Sequence, residues 1–199
     1  MKNLTLALML ILILSGCAGP NPNPGERTTD IAWTSGNYDG AFTVVEPHAL
    51  AGKPWAELRI AIFYENGMGV EKNIKKAEEF YLKAIKHRSD DEWSKGKMIG
   101  ATGKTGYFNQ NSDAIIAEYN LAALYYFAFI EKDKNIETDL LTAHSHIKSV
   151  LKDSNEKPVF FCCEFSGGRV FSQEMFLELE QKIIGSMSKE EQKQIGKIQ

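Results

Sequence analysis

The feature that most constrains this chain is a pair of helix-forming blocks separated by a short turn that contains two glycines. From Trp55 to Ile85, apolar residues recur every three or four positions, which is the spacing of helices that bury one face. Gly67 can take the left-handed conformation that ends a helix, and Gly69 allows the backbone to return tightly. Val70 is placed to fill the space between the helices. The pattern predicts an antiparallel helix pair.

The two blocks differ in how their charges are distributed. The first block, Trp55 to Glu65, carries few charges, so we expect it to contact neighbours on more than one side. The second block, Asn73 to Lys86, has one apolar face and one charged face, as expected for a helix that packs on one side only. The charged residues of the second block are Lys75, Lys76, Glu79, Lys83 and Lys86.

The residues of both blocks follow a spacing that resembles a known repeat. They read Ala56-x-x-x-Ile60-Ala61-x-x-Tyr64-x-x-Gly67-x-Gly69-Val70-x-x-Asn73-x-x-Lys76-Ala77-x-x-Phe80-Tyr81-x-Lys83-Ala84. This looks like one Sel-one-like repeat, a relative of the tetratricopeptide repeat, whose usual pattern is A-x-x-x-L-G-x-x-Y-x-x-G-x-G-V-x-x-D-x-x-K-A-x-x-W-Y-x-K-A. The resemblance implies an all-α, antiparallel helix-pair solenoid with Gly67, Gly69 and Val70 at the repeat turn. The residues that it implies for packing within the repeat are Ala56, Ile60, Ala61, Tyr64, Ala77, Phe80, Tyr81 and Ala84.

Weaker copies of the same unit lie on both sides. Residues 41–52 resemble the second helix of a preceding unit, in which Pro47 is expected to kink or shorten the helix. After the central unit, Ala117-x-x-x-Leu121-Ala122-x-x-Tyr125 repeats the spacing of the first helix. The turn glycines of this copy are replaced by Ala128 and Ile130, and its second helix is predicted from Thr138 to Leu151. We therefore place a repeat array at residues 37–155, with an insertion at 87–112.

A separate element is predicted after the array. Residues 156–199 begin with a short β-prone run. Ser172 then reads as a helix N-cap, with Phe171 and Phe176 spaced as a hydrophobic staple, and Ser188 opens a last helix with a capping box. Because stacked repeats need unusual end units, this segment is predicted to cap the array.

The N-terminus reads as a targeting signal. Lys2 precedes an apolar stretch, Leu6 to Leu14, that is much shorter than the ~20 residues of a membrane-spanning helix. The following Leu14-Ser15-Gly16-Cys17 resembles the bacterial lipobox. The resemblance implies a lipoprotein signal peptide at residues 1–16 and a diacylglycerol and an N-acyl chain on Cys17. No other cofactor is predicted.

The residues that follow the cysteine have the composition of a linker. Residues 17–36 contain prolines alternating with polar residues and are predicted to form an extended tether. By resemblance to lipoproteins of double-membraned bacteria, Ala18 in place of Asp favours the outer membrane. The domain is thus predicted to lie in the cell envelope, facing the periplasm.

Two local patterns resemble sites for a nucleotide or a metal. Gly103-Lys104-Thr105 looks like the end of a phosphate-binding loop, but Met98 occupies the position of its first glycine. His144 and His146 are two positions apart on a predicted helix, so their rings point in opposite directions and cannot chelate one metal. We interpret His144 as a histidine at the core or its edge.

The remaining cysteines are adjacent in sequence. A disulfide between Cys162 and Cys163 would be strained, since neighbouring α-carbons lie only about 3.8 Å apart. They are interpreted as buried, inert thiols, with a redox-active pair as the alternative.

The charge balance limits the classes of partner. The chain has 23 Lys and Arg against 26 Asp and Glu, a net charge of -3, and no basic run. This argues against binding to nucleic acid or coating of an anionic lipid surface. The expected partners are another protein or peptide, and the membrane through the lipid anchor.

Three functions are compatible with these features. The first is a non-enzymatic scaffold that binds a protein or peptide in the concave surface of the solenoid, with aromatics among residues 119–129 partly facing that groove. A narrower alternative is an immunity protein that neutralises a secreted antibacterial effector, as implied by lipoproteins with similar repeats. The second alternative is an envelope enzyme acting on peptidoglycan or a β-lactam, for which Glu57, Glu118 or His144 would have to meet in a cleft.

Overall fold

The computed structural model of the chain describes residues 24–89, 112–136, 139–154, 159–160 and 170–196. The predicted signal peptide, Cys17, the glycine-rich part of the insertion, Cys162 and Cys163 lie outside these residues. Within the described ranges, no helix combines the length and apolarity needed to cross a bilayer.

Helices dominate the described part of the chain. They are α1 (Pro24–Thr34), α2 (Tyr38–Leu50), α3 (Pro54–Asn66), α4 (Ile74–Lys86), α5 (Ser112–Glu131), α6 (Leu140–Ser154), α7 (Gln173–Ser186) and α8 (Lys189–Ile195). A short 3₁₀ turn, His87–Ser89, extends α4. Two short strands, β1 (Val159–Phe160) and β2 (Val170–Phe171), pair antiparallel, with Val159 opposite Phe171.

The helices from α1 to α7 pack in chain order, each against the next, and α3 also contacts α5. The pairs are α1 with α2, α3 with α4, and α5 with α6, and one continuous apolar core runs through them. The predicted all-α array of antiparallel helix pairs is therefore confirmed.

The first pair corrects the predicted tether. Residues 24–34, predicted as extended, form α1, and Trp33 packs its ring against Phe63 with centroids 5.2 Å apart. Pro24 is the first residue of the helix, a position that needs no backbone N–H donor, so it is compatible with the start of α1. The predicted half unit is consequently a complete helix pair. Its second helix, α2, runs past Pro47 to Leu50, so the proline does not shorten it.

The turn of the central pair is closed by backbone hydrogen bonds. Gly67, with φ of 68°, caps α3 and its N–H donates to the carbonyl of Phe63. Asn73 caps α4 by accepting the N–H of Lys76, and its own N–H donates to the carbonyl of Tyr64 at 2.8 Å. These bonds satisfy groups that would otherwise be left unpaired at both helix ends.

Gly69 has a second reason to be glycine. Its φ is 64°, and a Cβ there would lie 2.3 Å from the carbonyl oxygen of Tyr38, the first residue of α2. The turn of the central pair thus touches the backbone of the preceding pair. Val70 is partly buried and packs against the core beside this turn.

The residues expected to pack within the central repeat lie between α3 and α4 and in contact with the neighbouring helices. All eight of these residues are buried: Ala56, Ile60, Ala61, Tyr64, Ala77, Phe80, Tyr81 and Ala84. The first helix is enclosed on more than one side, because all of residues 54–61 are buried.

The third pair differs from its prediction at the turn. Ala128 and Ile130 were expected to replace the turn glycines, but α5 continues through both to Glu131. The reason is that this segment has no glycine or proline to end the helix. The chain reverses after Lys132, whose φ is 57°, and the second helix begins at Leu140 in place of Thr138.

The C-terminal element packs on the last pair. Ser172 caps α7 by accepting the N–H of Met175 at 3.3 Å, and the rings of Phe171 and Phe176 stack with centroids 6.5 Å apart. Ser188 forms a capping box with Glu191 at the start of α8. Because α7 contacts α6, this element covers the end of the array.

Candidate interaction surface

A buried network of charges joins the end of α4 to the third pair. The guanidinium of Arg88 pairs with the carboxylate of Glu118 on α5, and its Nε lies 3.0 Å from Asp153 Oδ2 on α6. Arg88 also donates to Ser149 Oγ at 2.8 Å, and His146 Nδ1 lies 3.1 Å from Glu118 Oε1. Residues of three helices are thereby held together around one arginine.

The surroundings of Glu118 keep it charged. Burial raises its pKa, but the hydrogen bond with His146 and the positive charge of Arg88 oppose burial and leave the pKa below its usual value. A carboxyl group with a lowered pKa is a poor proton donor near neutral pH. Glu118 therefore serves as an ion-pair partner between helices.

The other two residues of the enzyme hypothesis have different partners. Glu57 Oε2 lies 3.1 Å from His87 Nε2, and burial raises the pKa of Glu57. His144 Nε2 lies 3.4 Å from Glu180 Oε1 on α7, and burial lowers the pKa of His144. Each of these contacts joins two helices, and the described residues contain no cluster of three or more potential metal ligands. His144 lies in the core, as its spacing predicted.

A second buried cluster was missed by the sequence analysis. Arg59 is fully buried on α3; its Nη2 donates to Glu26 Oε1 at 2.8 Å and its Nε to Asp30 Oδ1 at 3.3 Å, both on α1. Nη1 donates to the carbonyl of Trp55 at 3.1 Å. One signal was present in the sequence: Glu26 and Asp30 are four residues apart, which places both on one face of a helix.

Burial changes the proton affinity of this cluster. It raises the pKa of Glu26 to about 7, against the opposing charge of Arg59 and with a further contribution from nearby Asp113. The pKa of Asp113, at the start of α5, is also raised by burial. This charged contact, like the network around Arg88, lies inside the array and does not form an open site.

The first helix of the central pair, α3, has no open face over most of its length. Residues 54–61 of α3 are buried throughout, so α3 offers no accessible stripe along this part of its length. Tyr125 is also buried, and its hydroxyl donates to Glu78 Oε1 of α4 at 2.7 Å. The aromatic residues of α5 therefore divide into a packed part and an exposed part.

The exposed part lies at the end of α5. Exposed fractions are 52% for Phe127, 41% for Phe129 and 48% for Ile130. Tyr126 is partly buried and meets Phe127 edge to face, with ring centroids 5.2 Å apart. We call these four residues the α5 tip. Phe127 and Ile130, three positions apart, share one face of the helix, whereas Phe129 points to the other side. With 20 residues against 15 in α6, α5 is the longer helix of its pair.

A cluster of large apolar side chains in contact with water is a common mark of a protein-binding surface. At the α5 tip, Phe127 and Ile130 form such a cluster on one face, with Tyr126 in contact with Phe127. Aromatic rings favour binding because they bury a large area with few rotatable bonds. Among the described residues it is the strongest candidate for a site that acts on something outside the chain.

Comparison with known proteins gives few relatives. No protein-family model matches the chain, and no curated protein matches it. Among solved structures, the chain is similar to the crystal structure of a Sel1 repeat protein from Oxalobacter formigenes, with 19% sequence identity and a TM-score of 0.30. The match covers 66% of this chain and 55% of that one, so the chain spans about half the length of its neighbour. The helix-pair fold is established by the chain's own contacts.

Proposed function

We propose that this protein is a membrane-anchored, periplasm-facing module that binds another protein and has no catalytic activity of its own. The observation that carries the proposal is the α5 tip, where Phe127, Phe129 and Ile130 are exposed on a helix held firmly by its neighbours. The ionisable groups that an enzyme would use are engaged in contacts between helices, which favours binding over catalysis.

The partner surface that fits the α5 tip is an apolar groove. Covering the exposed parts of Phe127 and Ile130 would stabilise a complex by roughly 1 kcal/mol for each side chain, from the usual value per area of apolar surface. The flanking residues Glu131, Lys132 and Asp133 carry mixed charges, so they do not select a strongly charged partner. The tip thus favours a partner that matches its shape and offers an apolar surface.

The location rests on the lipobox resemblance at Cys17. Acyl chains on this cysteine would retain the domain at a membrane, since each buried methylene contributes roughly 0.8 kcal/mol. In fractionated cells, we expect the protein in the membrane fraction and its Cys17→Ser variant in the soluble fraction. A variant that stays with the membrane would contradict the anchor.

The binding proposal is tested with the mature Cys17→Ser form as bait in a detergent extract of the native cells. We expect one protein in stoichiometric amount, and loss of that protein when Phe127→Ser and Ile130→Ser are added. Leu50→Ser is the matched control, because Leu50 is 70% exposed on α2, far along the chain from the tip. Recovery of no stoichiometric protein, or equal loss in the control, would overturn the proposal.

Neutralisation of an antibacterial effector is a narrower form of the same function. In that case the captured protein is toxic in the periplasm, and co-expression of this chain restores growth. The Phe127→Ser and Ile130→Ser variant is then expected to lose protection. Protection that persists in this variant would place the effector contact elsewhere.

A further inference from the structure

The outward side of α4 carries a basic surface that the linear sequence does not reveal. Only two of its lysines, Lys75 and Lys76, are adjacent and the others are three or more positions apart, so no basic run appears, yet the helix brings them toward the side away from its packed residues. We call this surface the lysine face. It consists of Lys72, Lys75, Lys76, Lys83 and Lys86, the first at the end of the turn and the others on α4.

The lysine face is only partly neutralised by its neighbours. Glu79 pairs with Lys83 at 2.7 Å, and Glu71 is the other exposed acid of the segment. Glu78 is directed to the hydroxyl of Tyr125 on α5. The carboxyls of Glu57 and Glu65 on α3 also lie near lysines of this face, but Glu57 is buried and Glu65 accepts the hydroxyl of Tyr81. A surplus of exposed positive charge therefore remains on this side of a chain whose net charge is -3.

An apolar side chain lies within the lysine face. Leu82 is 38% exposed, between Lys75 and Lys86 along the helix. The ammonium groups of two lysines lie over aromatic rings, with Lys76 Nζ 4.8 Å from the centre of Tyr64 and Lys83 Nζ 4.5 Å from the centre of Phe80. Ammonium groups around an exposed leucine form the pattern of a helix face that rests on lipid headgroups, where lysines meet phosphates and the apolar residue enters the interface.

We propose that the lysine face of α4 lies against anionic lipid headgroups of the membrane that holds the anchor, and so sets the orientation of the array. The choice of lipid rests on the proposed function, because the lipid on Cys17 would keep the domain close to the bilayer. Seven residue steps separate Cys17 from Pro24, which span at most about 25 Å. A surface of net positive charge at this distance is attracted by the phosphates of the leaflet.

This orientation has a structural consequence for the central pair. With α4 toward the lipid, α3 lies on the side of the pair away from the membrane, because the two helices pack against each other. The anchor then limits the distance of the array from the bilayer, and the lysine face determines which side is presented to a partner. The acyl chains keep the protein at the membrane, and the contact of α4 with the headgroups sets the orientation of the array.

The test uses the soluble, mature Cys17→Ser form, so that binding does not depend on the acyl chains. Binding is measured by co-sedimentation with phosphatidylcholine vesicles that contain or lack about one third phosphatidylglycerol, at low salt and at about 0.15 M salt. We expect binding to the anionic vesicles that weakens with salt, and none to phosphatidylcholine alone. Equal binding to both vesicles, or no binding to either, would overturn the proposal.

A pair of charge variants locates the contact. Lys75→Gln with Lys86→Gln is expected to weaken binding about fivefold for each lysine, or roughly 25-fold together. Lys182→Gln with Lys189→Gln is the matched control, since both lysines are exposed on α7 and α8 and the change in net charge is the same. Equal weakening in the two double variants would contradict the lysine face as the contact.

The same variants separate this inference from the proposed function. In the detergent extract, Lys75→Gln with Lys86→Gln is expected to retain the protein captured through the α5 tip. If vesicles are not bound and this variant instead loses the captured protein, the lysine face binds an acidic protein, and the lipid proposal is wrong while protein binding stands.

Discussion

Arg59 and Glu26 are 33 residues apart in sequence, yet Nη2 of the arginine donates a 2.8 Å hydrogen bond to Oε1 of the glutamate. The bond joins α3 to α1, the first described helix after the predicted anchor Cys17 in the sequence. Because the Arg59 side chain is fully buried, its charge is compensated by acidic groups of the protein, Asp30 as well as Glu26. The pair therefore couples the N-terminal helix to the central repeat.

This pair predicts a pH-dependent stability. The pKa of Glu26 is raised to about 7 in the folded protein from an ordinary value of 4.5, so the folded state binds the proton more tightly than the unfolded state does. The stabilisation from this proton is complete below pH 4.5 and is lost as the pH rises through 7. Between pH 5 and pH 8, we expect Glu26 to lower the free energy of unfolding by roughly 2–3 kcal/mol.

The measurement is urea denaturation at pH 5 and pH 8 for the wild type and for Glu26→Gln. The glutamine cannot ionise, so the difference between the two pH values should shrink by that amount in the variant. Other titrating groups are common to both proteins and cancel in the comparison. An unchanged difference would show that Glu26 does not titrate in this range.

Replacement by alanine is expected to lower the free energy of unfolding by different amounts at Gly69 and at Gly52. Both have positive φ, at 64° and 73°, so an alanine is strained at either position by about 1–2 kcal/mol. At Gly52 nothing lies within 4 Å of the added Cβ, whereas at Gly69 it would meet the carbonyl oxygen of Tyr38 at 2.3 Å. We expect Gly69→Ala to lower the free energy of unfolding by about 3–4 kcal/mol and Gly52→Ala by about 1–2 kcal/mol.

Denaturant unfolding of the two variants measures this difference directly. Strain of the backbone alone would make the two costs equal. A larger cost at Gly69 identifies the close approach between neighbouring helix pairs as the additional reason for this glycine.

The central pair could be predicted from the sequence because its signals are local. Gly67, Gly69 and Asn73 act within a few residues of their own positions, as helix caps and as a turn. The Ser172 cap and the staple of Phe171 and Phe176 are local in the same way. Patterns of this kind are complete within a short window of sequence, so no tertiary contact is needed to recognise them.

The first helix could not be predicted, because its stability comes from distant contacts. The prolines before Pro24 gave the segment the composition of a linker, while the residues that hold α1 in place, Arg59 and Phe63, are on α3. The α5 tip was hidden for a similar reason. Helical spacing shows which residues share a face, but the exposure of Phe127 depends on where the neighbouring helices end.

Asn73 is the N-cap of α4, and the sequence pattern that the turn resembles has aspartate at this position. Its side chain accepts the N–H of Lys76 at 3.0 Å, so Asn73→Ala should lower the free energy of unfolding by about 1 kcal/mol. Asn73→Asp keeps the acceptor and adds a negative charge at the positive end of α4, so it should be neutral or stabilising by up to about 0.5 kcal/mol. Thermal or urea unfolding checks both; an aspartate variant as unstable as the alanine variant would contradict the capping role.

The network around Arg88 predicts a strong coupling between two side chains. Glu118 is buried, so Arg88→Met would leave its carboxylate without the counter-charge and should lower the free energy of unfolding by about 3 kcal/mol. Replacing both residues, as Arg88→Met with Glu118→Leu, removes this isolated carboxylate, while the loss of the Asp153 contact is common to the single and the double variant and cancels in the double-mutant cycle. We expect the double variant to be more stable than Arg88→Met alone and the coupling energy to be about 2 kcal/mol.

The matched control for this double-mutant cycle, in which each residue is replaced alone and both together, is the exposed pair of Lys83 and Glu79, which are four residues apart on α4. Water screens this pair, so its coupling should stay below about 0.5 kcal/mol. Both cycles are measured by urea denaturation at pH 7. If the coupling energy of Arg88 and Glu118 is as small as that of the exposed pair, the ion pair of Arg88 does not join α4 to the third helix pair as the contacts indicate. A large coupling at the buried pair alone would establish that charge neutralisation inside the array, in addition to apolar packing, holds successive repeats together.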